Sequence, residues 1–394
     1  MQPSPTGADS GQLFGDQPPV AVIYRSPLFN ASETFVRANA VALGRYRALL
    51  AGLEDKGNIP PELSEATFLP RSSGERLRGR LGDLAWLASR LERHDPRLVH
   101  AHFGPDGLAA LDLARRLRVP LVTTLHGYDV SRTTWALLMS GRVSWLRYAL
   151  GRRRLIREGD LFLAVSDAVR RLAVGAGYPA ERTMTHYLGV DLAAFPVGHG
   201  DREATVLHVG RLVEKKGTGV LLDAFARVRA AQPAARLVII GDGPLRGSLE
   251  ALADRLGLGE AVRFLGSQPH ASVAEWMRRA AVLAVPSVTA RDGDAEGLPT
   301  VVMEAAASGL AVVGSDHSGI PEAIDDGRSG FVVAEGEALP LARCLTELLV
   351  SRDLRRSMGA AGRYLAERRF DRVRQFARLE ALYDDLIARR AVAA

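Results

Sequence analysis

The sequence has little cysteine and no long apolar run. Cys344 is the single cysteine in 394 residues, so the chain cannot form an intrachain disulfide. This usage is typical of proteins in the reducing cytoplasm. No apolar stretch approaches the roughly 18 residues that a membrane-spanning helix needs. These absences argue against a disulfide scaffold and an integral membrane protein, and they predict a cytoplasmic globular protein.

The first 19 residues lack lysine, arginine and an apolar core. A secretory signal has both a positively charged start and an apolar segment, so this stretch is not predicted to be one. Its residues are polar and rich in proline, glycine and serine. We therefore expect residues 1–19 to form a disordered lead-in.

The net charge of +6 arises in the first half of the chain. Residues 1–200 hold 25 Lys+Arg and 19 Asp+Glu, whereas the remainder holds 26 of each. Part of the excess lies in residues 144–160, where five arginines alternate with Trp, Leu and Tyr. This segment is either a solvated helix face or a docking surface for anionic lipid or an anionic acceptor at the inner membrane surface. No nucleic-acid-binding module is recognised, so nucleic acid is not an expected partner.

The length favours two domains, because single hydrophobic cores rarely grow beyond about 250–300 residues. Short β-branched runs alternate with longer amphipathic stretches, which predicts parallel sheets whose strands are connected by helices. Residues 33–50, 76–92 and 299–308 are among the predicted helices. The predicted strands are 20–24, 97–103, 121–126, 161–165, 205–210, 236–241, 262–266, 282–287 and 311–316.

Residues 190–204 interrupt this alternation with proline, glycine and charge. We place a domain boundary there, between an N-terminal domain at 20–195 and a C-terminal domain at 204–372. A helix at about 373–394 is expected to pack back on the N-terminal domain. The predicted fold class is α/β, with two Rossmann-like, doubly wound parallel-sheet domains facing a cleft. Such sheets bind ligands at the carboxyl ends of their strands.

A basic loop in the second half is suited to phosphate. The strand predicted at 205–210 ends at Gly210, Arg211 follows, and a helix is expected to begin after Lys216. Free amides and the positive end of the helix dipole favour an anion there, and the two cations would add charge-assisted bonds to a diphosphate. The alternative is a surface loop with ordinary solvated cations.

The glycine-rich turn after the next predicted strand is weaker evidence. Gly241 and Gly243 permit close approach of the backbone. Their spacing with Gly247 is not G-x-G-x-x-G, and the distal acid of a dinucleotide-binding fold is missing. This absence argues against a nicotinamide oxidoreductase.

The stretch EGLPTVVMEA places Glu296 before a predicted helix and Glu304 inside it. Pro299 is expected at the first helical position. The amides of Gly297 and Leu298 would hold phosphates at the mouth of the helix, and each carboxylate can accept hydroxyl bonds from a sugar. Eight helical residues span about 12 Å, a reach that suits a ribose at one end and a hexose at the other.

Taken in order, the motifs GRLVEKKG, IIGDGP, RFLG, PSV…EGLP…MEA and SGIPE resemble the signatures of glycosyltransferase family 4, which has the GT-B fold. The resemblance covers roughly residues 98–370. It implies a retaining transferase that moves a hexose from a nucleotide-diphosphate sugar, UDP-linked by prevalence, and that needs no metal or other cofactor. The implied acceptor is a saccharide, a lipid-linked molecule or a small molecule. The stretches SPLFNASETFVRANAVAL and TARDGDAEGLP are similar to an exopolysaccharide subset, such as the colanic-acid and amylovoran transferases.

The resemblance also implies roles for individual residues. Glu296 matches the first glutamate of an E-x7-E motif, near the donor hexose, and Glu304 matches the second, near the ribose. Arg211 and Lys216 match the basic pair on the diphosphate. The remaining matches are His126, close to the reacting phosphate and sugar, and Ser267 and Gln268, where the chain passes the base.

The acceptor side is less defined. Glu33 and Asp129 either contact the acceptor or serve as a helix cap or turn residue. Ser26 and Asn30 stand in a loop where many family members have two glycines, and Ser318 stands where a glycine is common. These departures leave the identity of the acceptor open.

Two further patterns imitate metal sites. His100 and His102 alternate on one predicted strand, and Asp292 and Asp294 resemble a D-x-D motif. No third ligand is visible for the histidines, and the acids are interpreted as loop residues, so no metal is predicted. The rival functions are a nucleotide-sugar epimerase or a sugar phosphorylase on the same fold, and a non-catalytic nucleotide-sugar binding protein.

Overall fold

The structure is a computed structural model that describes residues 18–29, 34–198 and 202–393. Residues 1–17 of the predicted lead-in lie outside the described residues. The predicted acceptor residue Glu33 also lies outside them, as does Asn30.

Short strands recur along the chain. They are β1 Val20–Tyr24, β2 Pro27–Leu28, β3 Arg47–Ala51, β4 Glu54–Asp55, β5 Thr67–Phe68, β6 Pro96–His102, β7 Leu121–Leu125, β8 Leu161–Ala164, β9 Thr183–Thr185, β10 Glu203–Val209, β11 Arg236–Ile240, β12 Val262–Phe264, β13 Ala280–Val285, β14 Ala311–Ser315 and β15 Gly330–Val333.

Helices separate most of these strands. They are α1 Thr34–Val41, α2 Ser73–Arg80, α3 Ala85–Leu91, α4 Gly104–Leu117, α5 Tyr128–Ser131, α6 Thr134–Leu138, α7 Val143–Glu158, α8 Asp167–Gly175, α9 Thr218–Ala231, α10 Arg246–Arg255, α11 His270–Arg279, α12 Thr300–Ala307, α13 Ala338–Val350, α14 Arg352–Leu365 and α15 Arg372–Ala393. Across the described residues, none of these helices has both the length and the apolar character needed to cross a membrane.

The chain divides into two compact units, and unit 1 comprises the described residues of Met1–Thr123, Glu158–Leu161 and Phe376–Ala394. Within this unit, strands follow the order β5-β3-β1-β6, with parallel pairing throughout. Val22 on β1 lies opposite Leu49 on one side and Val99 on the other. All five residues of β1 are buried, as expected for a parallel strand covered on both faces.

The second part of α15 belongs to unit 1. The Tyr383 side chain is fully buried, and its hydroxyl lies 2.5 Å from Nδ1 of His100 on β6. Glu380 accepts a hydrogen bond from the Arg45 backbone N–H at 2.7 Å, and Asp384 pairs with the Arg45 guanidinium at 2.7 Å. A buried aromatic contact and two charged contacts therefore attach this helix to the residues around β3 and β6.

Unit 2 comprises Thr124–Arg157 and Phe162–Gln375. Among the residues described, its larger sheet has the strand order β12-β11-β10-β13-β14-β15, and every pairing is parallel. Leu207 on β10 lies opposite Val238 on β11 and Leu283 on β13. Because parallel strands all point the same way, the loops that follow β10, β11 and β13 emerge at one edge of the sheet.

Apolar side chains from the helices fill the interior beside this sheet. Leu221 and Phe225 of α9 and Leu345 of α13 are fully buried and belong to one cluster with Leu237 and Ile239 of β11. The spacing of four between Leu221 and Phe225 puts both on one face of α9. This packing fixes the helix that follows the basic loop.

Two predicted helices were wrong in extent. Within residues 33–50, only Thr34–Val41 is helical, and Arg47–Ala51 forms β3, whose last four residues are buried between β1 and β5. The stretch between them contains Gly44, a poor helix former. The predicted helix 76–92 is interrupted at Gly82, whose φ of 91° leaves the helical region. Strands β5, β9 and β15 were not predicted, because each is two to four residues long.

Candidate active site

The candidate active site of unit 2 begins in the loop after β10. This loop contains a 3-10 turn at Glu214–Lys216, and Gly217 ends it with a φ of 63°. A Cβ atom at Gly210 would lie 3.2 Å from Cδ and Cε of Lys216, so the lysine stem passes across bare glycine backbone. Gly217 has no room for a side chain either, since its Cβ would lie 1.8 Å from the Pro286 carbonyl oxygen. Both glycines therefore fix where Lys216 lies.

Lys216 pairs with Glu296, which is 80 positions later in the chain. Lys216 Nζ lies 2.9 Å from Oε1 of Glu296, and the two side chains are 16% and 9% exposed. Burial raises the pKa of the Glu296 carboxyl, but the charges of Lys216 and Lys215 outweigh it and hold this pKa below its usual value. Glu296 is therefore a buried, ionised carboxylate.

The backbone of Glu296 is held by the loop after β14. The Glu296 backbone N–H donates to Nε2 of His317 at 3.1 Å, and the Ser318 hydroxyl donates to the Glu296 carbonyl at 2.5 Å. On its other side, Nδ1 of His317 lies 2.7 Å from the Glu335 carboxylate. Glu335 also accepts the Thr289 backbone N–H at 2.6 Å.

His208 on β10 bonds to Thr218, the residue that begins α9 directly after the basic loop. The buried His208 side chain lies 2.9 Å from the Ala284 carbonyl through Nδ1 and 3.1 Å from the Thr218 hydroxyl through Nε2. A carbonyl can only accept, so Nδ1 carries the proton and Nε2 accepts from Thr218. Burial is the main cause that lowers the pKa of His208 to about 4. His208 is thus neutral beside Lys216 at neutral pH.

The other predicted cations and loop acids are arranged differently. The Arg211 residue is exposed. Lys215 pairs with Asp294 at 3.0 Å, and Arg132 pairs with Asp292 at 2.7 Å. The two aspartates thus serve as partners of basic side chains, which agrees with their interpretation as loop residues. Across the described parts of the chain, no group of three or more His, Cys, Asp and Glu residues is arranged to hold a metal ion.

The glycines after β11 pack against the chain itself. Gly241 has a φ of 139°, and a Cβ there would lie 1.8 Å from the Gly210 carbonyl oxygen. A Cβ at Gly243 would lie 2.5 Å from the Leu212 carbonyl oxygen. Their small size is therefore required by the neighbouring basic loop, and their predicted contact with a nucleotide stays a prediction.

Glu304 lies inside α12 and is 9% exposed. Its Oε1 lies 3.3 Å from Nε2 of His270, the first residue of α11. Ser267 and Gln268 follow β12 and are exposed just before His270. Pro299 directly precedes α12 as its N-cap instead of occupying the first helical position. Leu298, predicted to offer its amide, is 5% exposed.

His126 and Gly127 lie directly against Gly297. A Cβ at Gly297 would lie 2.2 Å from the His126 carbonyl oxygen, and one at Gly127 would lie 2.8 Å from the Gly297 nitrogen. The Asp129 carboxylate accepts the backbone N–H groups of His126 and Gly127, both at 3.0 Å. These bonds give Asp129 the turn role that the sequence left open, and its contact with an acceptor stays a prediction.

The structure adds His270, His317 and Glu335 to the predicted set. His317 was not predicted although the neighbouring Ser318 was named, because a lone histidine in a loop has no periodicity that indicates its contacts. His270 and Glu335 come from different loops and reach Glu304 and His317 only through the tertiary fold. The roles predicted for Lys216, Glu296 and Glu304 toward a donor stay predictions.

Comparison with known families identifies the class of protein. The model described as "Glycosyl transferases group 1" matches residues 191–364, and the model described as "Glycosyltransferase Family 4" matches residues 41–194. A GDP-mannose-dependent alpha-(1-6)-phosphatidylinositol monomannoside mannosyltransferase of Mycolicibacterium smegmatis is 31% identical over 71% of this chain and 75% of its own length. The chain therefore belongs to the group 1, family 4 glycosyltransferases, which confirms the predicted family.

Two further likenesses refine this assignment. The putative colanic acid biosynthesis glycosyltransferase WcaL of Salmonella typhimurium is 35% identical over 252 residues, which are 63% of this chain. The match spans 60% of that relative's length. The Anabaena HepE structure in complex with UDP has a TM-score of 0.76 at 22% identity, and it covers 93% of this chain and 100% of its own. The GT-B fold and the similarity to the exopolysaccharide subset are thereby confirmed.

Proposed function

We propose that this protein is a retaining hexosyltransferase of polysaccharide or glycoconjugate biosynthesis. It takes the hexose from a nucleotide-diphosphate sugar and transfers it to a saccharide, lipid-linked or small-molecule acceptor, and it works at the inner surface of the membrane. UDP is the nucleotide that we favour. The HepE structure is a complex with UDP, although the Mycolicibacterium relative is named as GDP-mannose-dependent.

The buried pair of Lys216 and Glu296 carries this proposal. It lies where β10 and β13 end and α12 begins, with Nζ and Oε1 2.9 Å apart. A cation suits a diphosphate, and an ionised carboxylate accepts sugar hydroxyls. One site thus offers a partner for the diphosphate and a partner for the sugar of a nucleotide sugar. Glu304 lies on α12, where its carboxylate contacts His270, and it is the expected partner of the ribose.

The chemistry that we assign to these residues is electrostatic. Departure of the nucleotide builds negative charge on the β-phosphate, which Lys216, Arg211 and the amides before α12 would stabilise. Glu296 would orient the hexose, and His126, whose backbone touches Gly297, would face the reacting bond. In a retaining same-face displacement, the acceptor oxygen bonds to the anomeric carbon as the phosphate oxygen leaves with the electron pair and takes the acceptor's proton. No metal or other cofactor enters these steps.

A thermal-shift panel of UDP, GDP, ADP and TDP sugars, followed by product analysis, tests the proposal. We expect one nucleotide class to raise Tm and to be released as free nucleotide when a lipid extract or saccharide acceptor is added. NMR of the product is expected to give the donor's anomeric configuration. Conversion of the donor without acceptor would indicate an epimerase. Dependence of the reaction on inorganic phosphate would indicate a phosphorylase, and binding of the donor without release of nucleotide would indicate a non-catalytic protein. Each of these outcomes contradicts the transferase.

Two substitutions connect the activity to the pair. Lys216→Ala and Glu296→Gln are each expected to lower nucleotide release about 100-fold, because each removes charge from the reacting site. Lys56→Ala is the control, since Lys56 pairs with the exposed Glu54 in unit 1 and has no role in the site. Wild-type release in the Lys216 and Glu296 variants would remove both residues from the mechanism.

A further inference from the structure

Helices α6 and α7 of unit 2 expose a concentrated group of large apolar side chains. Six of the 17 exposed large hydrophobic residues in the described chain fall within residues 135–150. Trp135 is 70% exposed, Met139 66% and Leu150 75%. We call this group the α6–α7 surface, and its apolar members are Trp135, Leu138, Met139, Val143, Leu146 and Leu150.

The helical spacing explains why these residues share a face. Val143, Leu146 and Leu150 recur every three or four residues along α7, so they form one stripe. Trp145 and Tyr148 lie on the opposite side and are buried, and the Tyr148 hydroxyl donates to the Asp129 carbonyl at 3.0 Å. The inner side of α7 is therefore fixed in unit 2, and its apolar outer stripe is left to solvent.

The charge of this segment selects the occupant. Residues 130–157 contain seven arginines and no aspartate or glutamate. Arg142 and Arg153, which flank the apolar stripe, are exposed. An exposed tryptophan, a leucine stripe and flanking arginines are the composition of helices that lie in the headgroup region of anionic bilayers. A protein partner would need an acidic, apolar groove, whereas an anionic membrane supplies both features over a flat area.

We propose that the α6–α7 surface docks this protein on an anionic lipid bilayer. Trp135, Leu146 and Leu150 enter the headgroup region while the flanking arginines bind lipid phosphates. The inference deepens the proposed function, because it names the surface by which the enzyme would reach a lipid-linked acceptor. Docking itself requires neither donor nor transfer, so its test stands apart from the transferase assay.

Sedimentation of the full chain with phosphatidylcholine vesicles, with and without phosphatidylglycerol, tests the docking. Binding is expected only with phosphatidylglycerol and is expected to weaken as salt rises. The double variant Trp135→Ser, Leu150→Ser should bind the anionic vesicles about tenfold more weakly with unchanged Tm, since both side chains are exposed. The matched control is Leu77→Ser, Val350→Ser, which removes exposed side chains of 60% and 63% elsewhere.

Three outcomes would overturn this inference. One is equal sedimentation with neutral and anionic vesicles. Another is unchanged binding in both the Trp135, Leu150 variant and an Arg142→Glu, Arg153→Glu variant. The third is a dimer in light scattering that the apolar variant abolishes while vesicle binding persists, which would assign the surface to a second copy of the chain.

A second inference rests on different observations, namely the contacts of His317. Its ring bridges the Glu335 carboxylate at 2.7 Å and the Glu296 backbone N–H at 3.1 Å, and the residue is only 3% exposed. Glu335 holds in addition the Thr289 backbone N–H at 2.6 Å. The chain Glu335–His317–Glu296 therefore connects the loops after β13, β14 and β15.

The donors and acceptors in this chain allow one arrangement of protons. The Glu296 N–H can only donate, so Nε2 of His317 must carry a lone pair. The proton of a neutral ring then lies on Nδ1, where the ionised Glu335 accepts it. Burial raises the pKa of the Glu335 carboxyl, but hydrogen bonds from Thr289 and His317 outweigh it and lower this pKa. A carboxylate that stays ionised selects the Nδ1–H tautomer.

The geometry points to His317 as a positioning residue for Glu296, with Glu335 selecting its tautomer. His317 fixes the backbone on which the Glu296 carboxylate is carried toward Lys216. The inference rests on the proposed function for its consequence in transfer. The tautomer itself is a property of the ligand-free protein.

Nitrogen-15 NMR of the histidine-labelled chain, with His317→Gln to assign the signal, tests the tautomer. A protonated Nδ1 and an unprotonated Nε2 are expected at neutral pH, and Glu335→Leu should shift the population toward Nε2–H. The opposite tautomer in the wild type would overturn the inference even if no transfer is found.

Kinetics provide the second readout. His317→Phe keeps the ring volume without a nitrogen, and we expect it to lower kcat about tenfold while the affinity for free nucleotide changes little. His317→Gln places an amide oxygen near the position of Nε2 and should recover most of the rate. Equal losses in the Phe and Gln variants with matching losses of Tm would indicate a packing role only.

Discussion

At the scale of single residues, the candidate site is held by an ion pair that a nucleotide sugar would have to rearrange under the proposed function. Lys216 and Glu296 are each other's partner, at 2.9 Å and nearly out of solvent. Under the proposed function, a diphosphate that binds Lys216 would compete with Glu296, and a sugar hydroxyl would replace the lysine at the carboxylate. The pair thus keeps both groups charged and in position.

Removal of one partner should cost more stability than removal of both. Lys216→Met or Glu296→Gln alone is expected to lower the free energy of unfolding by about 3 kcal/mol, because a buried charge or donor is left without its partner. The double variant should lose less than either single variant, and urea unfolding of all four chains measures the coupling.

The exposed pair of Lys56 and Glu54 is the control for this cycle. Its Nζ–Oε1 distance is 2.5 Å, but the side chains are 38% and 44% exposed. Its coupling should be below about 1 kcal/mol, as for other solvent-exposed pairs. Equal coupling in the two pairs would mean that burial of Lys216 and Glu296 does not govern their interaction.

The residues of the site differ in how visible they were in the sequence. Lys216 and Glu296 lie in loops with glycine and proline signals and in motifs of a known family, so both were predicted. His317 and Glu335 lie 18 residues apart with a strand between them, and no local pattern announces their 2.7 Å contact. Contacts of this kind depend on how loops after neighbouring strands converge, which the order of residues does not reveal.

At the scale of elements, the turn before α9 depends on a glycine. Gly217 has a φ of 63°, and its Cβ would meet the Pro286 carbonyl at 1.8 Å. Gly217→Ala is expected to destabilise the protein by more than about 1 kcal/mol, because both the backbone region and the space are unsuitable for alanine. Urea unfolding measures the change, and nucleotide binding should weaken as Lys216 moves.

Gly247 in the first turn of α10 is the matched control. A Cβ there meets no atom within 4 Å, and its φ is not positive. Gly247→Ala should be neutral or stabilise by up to about 1 kcal/mol, since alanine favours the helix. A loss as large as that of Gly217→Ala would contradict the steric explanation.

The start of α8 depends on a glutamate from a distant loop. Glu322 accepts the backbone N–H groups of Asp167 and Ala168, both at 2.8 Å, and the Tyr187 hydroxyl at 3.0 Å. Burial, followed by the charge of Glu322, raises the pKa of Tyr187 to about 12. The hydroxyl therefore remains a donor at all physiological pH values.

Glu322→Ala should lower the free energy of unfolding by about 2 kcal/mol, because two helix amides and a phenol lose a charged acceptor. The exposed Glu337 has no side-chain bond to the helix that it precedes, so Glu337→Ala is the control and should change stability little. Hydrogen exchange of the Asp167 and Ala168 amides gives a local measure. Unchanged protection there would contradict the capping role.

The elements that the sequence misassigned share a physical cause. RALLA in β3 follows a stretch of good helix formers, and only its position between β1 and β5 makes it a strand. Runs of β-branched residues such as VAVIY were predicted correctly because burial on both faces leaves a continuous apolar signal. Tertiary pairing thus overrode local preference where the run, although of equal length, was rich in alanine and leucine.

At the scale of the whole molecule, the buried His208 makes stability depend on pH. Its pKa is about 4 in the fold and 6.5 as a free side chain. Between these values the unfolded chain binds the proton and the folded chain does not, so stability falls as the pH drops through this window. This single group should contribute a loss of roughly 3 kcal/mol between pH 7 and pH 4.

Urea unfolding at several pH values measures this loss. His208→Gln removes the titrating group and should flatten the slope between pH 6.5 and pH 4 relative to the wild type. His94→Gln is the comparison and should flatten the slope less, because that histidine is only partly buried and burial lowers its pKa by a smaller amount. A slope in His208→Gln as steep as that of the wild type would assign the acid sensitivity to other groups.

The fold class was predictable because its signal repeats along the chain. Each pair of a buried parallel strand and a following helix carries its own pattern, so single errors such as β3 left the α/β architecture intact. The assignment of the C-terminal segment to unit 1 depends on single long-range contacts and not on a repeated pattern. Residues 376–394 join unit 1 through Tyr383 and Glu380, which contact His100 and Arg45. A helix at about 373–394 was expected to pack back on the N-terminal domain, but its individual partners, His100 and Arg45, leave no local trace in the sequence.

This discontinuity has a consequence for biosynthesis. Val20–Thr123 leaves the ribosome before unit 2, yet the segment that covers His100 is translated only after the whole of unit 2. The surface around His100 therefore stays uncovered during synthesis. Unit 2 can fold before unit 1 is complete, although most of unit 2 is translated later. Prolonged exposure of that uncovered surface makes the growing polypeptide a natural client for chaperones that bind apolar surface.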